Sequence, residues 1–340
     1  MDEDEAVTHD MKDQTYILGL GHYVPEPVLT NAELEKMVET SDEWIRSRTG
    51  IVERRMVEEG QGCSDLALQA ALKALAQAEV DPAEVSHILV ATFTPDFCTP
   101  TTACVLQAKL GADSCSMAMD LAAGCSGFTY GLTTARGLCA VEPESKVLVI
   151  GSEVCTSRVN FQDRNTCVLF GDGAGAALIS GQGKDHSRLI DTRLMADGAQ
   201  GHLLPVGREG GSAAPYKLGQ VVSQNYFIQM NGRELFRFAV RGMADLAEQL
   251  LAKHGLTVAD VDMIIPHQAN MRIIEALAKK LSCSMDKVYV NVDRFGNTSA
   301  ASVIIALSEA FDHGRVVKGM RVVLISFGAG LTWGAALMEL

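Results

Sequence analysis

Lys146-Val-Leu-Val-Ile150 and Arg321-Val-Val-Leu-Ile325 are two apolar runs of one pattern, 175 residues apart. A second pair, Val85-Ser-His-Ile88-Leu89-Val90 and Val261-Asp-Met-Ile264-Ile265-Pro266, repeats that shift at 176. Short Val- and Ile-rich runs suit strands buried on both faces. One such likeness could arise by chance, but two at a near-constant offset point to two related βα halves. Working outward, strands are expected over Thr15–Leu20, Ser86–Thr92, Ser116–Leu121, Lys146–Ile150, Ala174–Ser180, Val288–Val292, Arg321–Ser326 and Gly334–Glu339. Helices are expected over Ser64–Ala78, Gly127–Leu138, Gly232–His254, Met271–Leu281 and Ala300–Phe311. The expected fold class is therefore α/β. Residues 14–181 form one half and 230–340 the other, and the Gly-, Ser- and Pro-rich stretch 182–229 is a connecting excursion.

The composition agrees. The 340 residues are 47% hydrophobic and 21% charged, enough apolar material for a large core. A net charge of −13 argues against general nucleic-acid binding, which needs clustered basic surface. Residues 1–13 hold six acids and one lysine, and read as a solvated, disordered acidic leader without the apolar core of a secretory signal. No run of about 20 apolar residues could span a bilayer, so no membrane insertion and a cytoplasmic location are expected. Nine cysteines, an odd count without a C-x-x-C pair, support neither a disulfide framework nor a zinc ribbon.

The offset also carries chemistry. Adding 175 to Cys125 reaches position 300, just past Gly296-Asn297-Thr298-Ser299. His267 follows its strand at the equivalent of Ala91. All three segments map to strand-to-helix ends, where α/β proteins build sites. In Asp120-Leu-Ala-Ala-Gly124-Cys125-Ser126-Gly127-Phe128, small neighbours permit a tight turn that presents the cysteine outward. A helix N-terminus there would favour thiolate over thiol. The other reading of Cys125 is a buried structural cysteine. A lone histidine is usually structural and a lone Gly-Asn-Thr usually a turn; both ordinary readings weaken because the segments converge.

At these segments the sequence closely resembles the β-ketoacyl-acyl-carrier-protein synthase III family of the thiolase superfamily. The likeness spans nearly everything from Thr15 to Leu340. It includes Ser41-Asp-Glu-Trp44-Ile-Arg-Ser-Arg48-Thr49-Gly50-Ile51, Ala123-Gly-Cys125-Ser-Gly-Phe128 and Phe170-Gly-Asp-Gly-Ala-Gly-Ala176. It continues through Met230-Asn-Gly-Arg-Glu-Leu-Phe236, His267-Gln-Ala-Asn270, Gly296-Asn-Thr-Ser299 and Phe327-Gly-Ala-Gly-Leu-Thr-Trp-Gly334. Gly124 departs from members that carry alanine or another small residue, a change expected to be harmless.

The resemblance implies a thiolase-like fold of two pseudo-symmetric halves in α-β-α-β-α layers, and a homodimer. It implies that Cys125 attacks an acyl-CoA thioester. His267 and Asn297 then stabilise the enolate formed as malonyl-acyl-carrier protein loses carbon dioxide. The oxyanion hole is the backbone N–H groups of Cys125 and Ala329. Acyl-CoA and malonyl-acyl-carrier protein are substrates; no cofactor and no metal are implied.

Trp44 and Arg48 lie i, i+4 on a short helix expected to be capped by Thr40 and Glu43, where an aromatic plane beside a guanidinium suits adenine and phosphate. By resemblance they are coenzyme A contacts, with Arg164 and Asn270. Thr99 and Phe236 are assigned to the acyl pocket; threonine in place of a bulky aromatic is expected to admit primers longer than acetyl. Arg237, Arg241, Arg272, Lys279 and Lys280 are docking candidates for an acidic acyl carrier protein. Arg233 shares the stripe of Arg237 and Arg241, whose plain reading is a solvated helix face. Gly19-Leu-Gly21 and Gly171-Asp-Gly173-Ala-Gly175 read as turns rather than cofactor loops. The alternative function is a thiolase-fold acyltransferase moving an acyl group from Cys125 to an alcohol or amine.

Overall fold

The two strands quoted first occupy the same place in two copies of one arrangement. The computed structural model describes residues 14–113, 115–183, 187–207 and 227–340; the acidic leader, residues 1–13, and residues 208–226 of the connecting stretch lie outside the described residues. The strands are β1 Tyr16–Tyr23, β2 Val28–Thr30, β3 Glu53–Arg55, β4 His87–Ala91, β5 Met117–Leu121, β6 Lys146–Glu153, β7 Gly173–Ser180, β8 Ser187–Ala196, β9 Met263–Pro266, β10 Arg321–Gly328 and β11 Thr332–Glu339. Nine of them form one ladder in the order β5-β4-β6-β7-β1-β8-β11-β10-β9. Its two parts, β5-β4-β6-β7-β1 and β8-β11-β10-β9, meet among the described residues at Tyr16↔Arg188 and Ile17↔Ser187.

In each part a parallel pair (β4 with β6, β9 with β10) is followed by an antiparallel strand, β7 or β11. Val288 bridges Ile264 in parallel, taking beside β9 the place β5 holds beside β4.

The described residues form seven helices of eight residues or more: α1 Asp42–Thr49, α2 Cys63–Ala78, α3 Thr102–Leu110, α4 Gly127–Val141, α5 Gly232–Lys253, α6 Met271–Lys280 and α7 Ser302–Asp312. Helices α4 and α7 touch strands of both parts and are enclosed between them; α2 and α3 cover the outer face of the first part, α5 and α6 that of the second. This gives the α-β-α-β-α layering. The burial is correspondingly complete: along α7, every residue from Ser302 to Ala310 is buried. Three large apolar clusters and one small one fill the interfaces, the central large one built from residues such as Phe128, Leu132, Val303, Ile304 and Leu324.

Several sequence expectations need correction. Val288–Val292 is not a strand, because the Gln268 side chain accepts the N–H groups of Asn291 and Val292 and turns the chain into a short helix, Val292–Phe295. Strand β8 went unforeseen in the connecting stretch, since only Leu189 and Asp191 among its central residues are buried. Helix α3 was also unforeseen; its N-terminal N–H groups at Thr102 and Ala103 are held by the Asp120 carboxylate, a tertiary cap absent from local sequence.

Gly19 and Gly21 are not a turn either. Strand β1 runs through both, and a Cβ at either would overlap the Ala74 or Ala70 carbonyl of α2. Gly173 and Gly175 likewise lie in β7.

Candidate active site

Strand β5 ends at Leu121, and a single-turn 3-10 helix, Gly124–Ser126, leads into α4. Cys125 sits in that turn, so its N–H belongs to a first helical turn and has no intrahelical acceptor. The turn is tied to the β10–β11 hairpin. Ser126 Oγ donates to the Ala123 carbonyl at 2.8 Å and meets Thr332 Oγ1 at 2.5 Å; Thr332 Oγ1 also bonds to the carbonyls of Ala123 and Ala329. These bonds press residues 328–330 against the cysteine. A Cβ on Gly328 would overlap the Cys125 nitrogen, and one on Gly124 would stand 2.9 Å from Ala329 N. Gly124 has φ +51, so an alanine there would be strained as well as crowded against Ala329; the expected interchangeability holds only if that backbone shifts.

Cys125 is buried, and burial pushes its thiol up to about 12, with the Glu153 carboxylate adding to the rise. The sequence expectation of a thiolate favoured by the helix N-terminus is thus outweighed. Desolvation of the charged form is the larger effect here.

His267 follows β9 at the corresponding end of the second half. Its Nδ1 lies 2.5 Å from Ser302 Oγ, and Ser302 Oγ accepts the Gln268 N–H at 3.4 Å. That contact engages Nδ1 and leaves Nε2 as the ring nitrogen without a protein partner among the described residues; which atom of the Nδ1–Oγ pair donates follows from the ring's tautomer. Burial holds the imidazole down to about 3, hence neutral. Asn297 is fixed by three bonds: its N–H to the Leu169 carbonyl at 2.8 Å, its carbonyl from Gly171 N–H at 3.1 Å, and Oδ1 from Ser299 N–H at 2.8 Å. The amide NH2 is left to face outward. Cys125, His267 and Asn297 line one cavity of about 860 Å³, with Gly328, Ala329 and Gly330 on its wall. Its sides are apolar, including Phe93, Leu204, Ile228 and Met243, and its mouth carries Arg48, Arg233, Arg237 and Arg272.

Comparison with known proteins settles the family. Residues 119–198 match the model of 3-oxoacyl-[acyl-carrier-protein (ACP)] synthase III, and residues 251–340 that of its C-terminal part. The chain is 50% identical over 332 residues to beta-ketoacyl-[acyl-carrier-protein] synthase III of Nitratidesulfovibrio vulgaris (strain DP4), covering 97% of this chain and all of the relative. This chain belongs to the 3-oxoacyl-[acyl-carrier-protein] synthase III family. It is 45% identical to the Clostridioides difficile (strain 630) protein of the same name over 97% of this chain and 99% of the relative. The crystal structure of 3-oxoacyl-[acyl-carrier-protein] synthase III from Aquifex aeolicus superposes with TM-score 0.87 at 44% identity, covering 96% of this chain and 100% of that one. The fold is the thiolase-like fold of that family.

Against this family background, the remaining predicted residues separate. Helix α1 is capped by Ser41, which accepts the Trp44 N–H, rather than by Thr40. Arg164 stacks on the Trp44 ring at 4.7 Å and donates to the Glu39 carbonyl. Arg48 and Asn270 both line the cavity, and Asn270 Nδ2 donates to the Arg48 carbonyl at 3.2 Å. Phe236 lines the cavity near its exposed end. Thr99 does not: it is exposed in the loop before α3 and adds no volume to this chain's own cavity. Among the docking candidates, Arg237 and Arg272 reach the mouth, whereas Arg241 and Lys280 are both drawn to Asp245. Lys279 lies on α6 away from the cavity lining.

Ser302, Gln268 and Arg54 carry supporting roles that sequence reasoning missed. Arg54 is fully buried and donates to the carbonyls of Leu29 and Val168 and to Asn31 Oδ1, holding the wall that leads to Leu169 and Phe170. A serine at the start of an apolar helix was the available signal for Ser302; nothing local marked Arg54.

Proposed function

We infer that this chain is a β-ketoacyl-acyl-carrier-protein synthase III. It condenses an acyl-CoA primer with malonyl-acyl-carrier protein through an acyl-Cys125 intermediate, releasing CoA and carbon dioxide and initiating fatty-acid synthesis. The observation carrying this reading is the electrically neutral donor pair opposite the nucleophile. His267 is held uncharged by burial and engaged at Nδ1, which leaves Nε2 toward the cavity as the donor of this reading, and the Asn297 amide accepts at Oδ1, which leaves its NH2 outward. Decarboxylation generates its own carbanion, so it needs oxyanion donors and no base to remove a carbon-bound proton.

In the first half-reaction the Cys125 sulfur attacks the primer thioester, and the tetrahedral oxyanion points to the N–H groups of Cys125 and Ala329. In the second, the malonyl thioester oxygen takes hydrogen bonds from His267 and Asn297 while the carboxylate leaves as carbon dioxide. The resulting carbanion attacks the acyl-Cys125 carbonyl and expels the sulfur. An acyltransferase passing the acyl group to an alcohol would need a base at the Asn297 position, which an amide does not provide.

The mouth arginines Arg48, Arg237 and Arg272, with the stacked Trp44–Arg164 pair, fit the phosphates and adenine of coenzyme A and an acidic carrier protein. We also place this enzyme in the cytoplasm; no helix among the described residues is long and apolar enough to cross a membrane. A homodimer is supported by β5, which pairs only with β4 among the described residues and carries half-buried Met117, Met119 and Leu121, a free edge for an isologous contact. The two halves are taken as residues 14–181 and 230–340, with the connecting stretch contributing β8 to the second.

Intact-mass measurement after incubation with a panel of acyl-CoAs tests the chemistry. One acyl adduct is expected on the native chain and none on Cys125→Ala. His267→Ala and Asn297→Ala are expected to acylate but to release little carbon dioxide from malonyl-acyl-carrier protein. Persistence of the adduct without Cys125 overturns the assignment.

A further inference from the structure

Behind the cavity wall lies a carboxyl group that the mechanism above leaves unused. Glu153, the last residue of β6, is fully buried. One of its oxygens, Oε2, accepts Thr94 Oγ1 at 2.6 Å, Thr92 Oγ1 at 3.1 Å and the Phe93 N–H at 3.2 Å. The other, Oε1, is buried with no partner among the described residues. Ser299 lines the cavity from the opposite side, held at φ +50, and its Oγ is likewise buried with no partner of full hydrogen-bond geometry. The Ser299–Ala301 turn packs against both the β6 strand that ends at Glu153 and the Gly124–Ser126 turn that carries Cys125, and the hydroxyl favours the charged form of the Cys125 thiol and of the Glu153 carboxyl alike. Two unpartnered polar atoms buried in one place are costly unless they serve each other or a reacting group.

No cation is paired with Glu153 among the described residues. The titratable groups whose ionisation it opposes are Cys63 from α2, Cys125, and Cys155 from the turn after β6, the last also facing Asp172. Burial therefore pushes the carboxyl up to about 7, where it exchanges a proton at neutral pH. Its negative charge in turn raises the thiol. Cys125 needs an acceptor for its proton, because burial keeps it a thiol. His267, at about 3, is a poor base for that role.

We propose that Glu153, acting through the Ser299 hydroxyl, takes the Cys125 thiol proton during acylation and returns it to the cysteine sulfur expelled during condensation. The inference rests on the condensing-enzyme reading given above. In acylation the S–H bond breaks as the new S–C bond forms. The proton passes by way of Ser299 to the carboxylate, and the CoA sulfur leaves with the electron pair of its broken thioester bond and is protonated from solvent. In condensation the C–C bond forms, the Cys125 S–C bond breaks, and the thiolate recovers the proton from the Glu153 carboxylic acid. One solvent proton is consumed per turnover, on CoA. Glu153 acts through another residue and is thus a positioning and proton-holding group.

The test is the pH dependence of single-turnover acylation of Cys125 by acyl-CoA, read by intact mass, beside alkylation by iodoacetamide, which needs only the thiolate. The native enzyme is expected to acylate faster as pH rises, with an inflection near 7. Glu153→Gln is expected to lose the inflection and acylate roughly 100-fold more slowly at pH above it, while alkylation stays equal or quickens because the repelling carboxylate is gone. Glu153→Asp should restore the inflection, and Ser299→Ala should lose it, which decides the matter if Glu153→Gln fails to fold. An inflection retained in both Glu153→Gln and Ser299→Ala overturns the proposal, as does an equal fall of acylation and alkylation in the two variants. A native enzyme that forms no acyl adduct overturns the condensing-enzyme reading and this proposal together; a native adduct with an unaltered variant profile overturns this proposal alone.

Discussion

His267 Nδ1 and Ser302 Oγ lie 2.5 Å apart, so the hydroxyl at the start of α7 fixes the imidazole by its Nδ1 edge and leaves Nε2 for the cavity. The Gln268 N–H supplies the hydroxyl's accepted bond, and Gln268 is anchored by the Pro266 and Tyr289 carbonyls. Removing the hydroxyl frees the ring to rotate or change tautomer. Ser302→Ala is expected to slow carbon dioxide release from malonyl-acyl-carrier protein on the order of 100-fold, the cost of a misplaced donor. Acylation of Cys125 should be nearly unchanged. Equal slowing of both half-reactions would contradict the positioning role.

The same burial fixes a pH expectation. His267 is held down to about 3, so it stays neutral as pH rises from 5 to 9. Condensation started from enzyme already acylated on Cys125 should therefore show no inflection near 6.5, the ordinary histidine value. Pre-steady-state carbon dioxide release across this range by Glu153→Gln, which removes the other group placed near 7, measures it; an inflection there would mean that His267 titrates in the working enzyme.

How much of this was legible beforehand follows from where the information resides. Strands such as Lys146–Glu153 and Arg321–Gly328 announce themselves because both faces are buried and the apolar run is continuous. Cys125, His267 and Asn297 were legible because pseudo-symmetry places strand ends together. The turn at Asn291 was not, since it is decided by the distant Gln268 side chain, and helix α3 was missed although Thr101 and Gly111 cap it locally, with Asp120 adding a distant cap. The thiol's charge state was misread for a related reason: a helix terminus is visible in sequence, whereas the desolvation that outweighs it depends on the completed fold.

Charge at the mouth leads to a ranking. Arg237 and Arg272 line the cavity without an ion pair among the described residues, whereas Arg241 and Lys280 share Asp245. Reversing Arg237 or Arg272 to Glu is expected to lower kcat/KM for malonyl-acyl-carrier protein about tenfold or more at low salt, with the loss shrinking as salt rises. Reversing Arg241 or Lys280 should cost clearly less. Steady-state kinetics at two ionic strengths would show it, and an inverted order would place docking elsewhere on α5 and α6.

Asp191 of β8 ties the connecting strand to the helices on either side. It is almost wholly buried, and its oxygens take Arg136 of α4 at 2.5 Å, Lys253 of α5 at 2.6 Å and His254 at 2.9 Å. Burial alone would raise this carboxyl, but the bonds from Lys253 and His254 overcome it and hold the group near 2. The folded value thus lies below the unfolded one near 3.8, so the contribution is fully present above pH 3.8 and is lost as pH falls through about 2. Asp191→Asn leaves the Arg136 and Lys253 cations around a neutral amide and should cost about 3 kcal/mol at neutral pH. Urea unfolding of the two proteins should show that gap closing as acid is added. A gap that persists unchanged at pH 3 and below would mean that packing, rather than the charge of Asp191, joins β8 to α4 and α5.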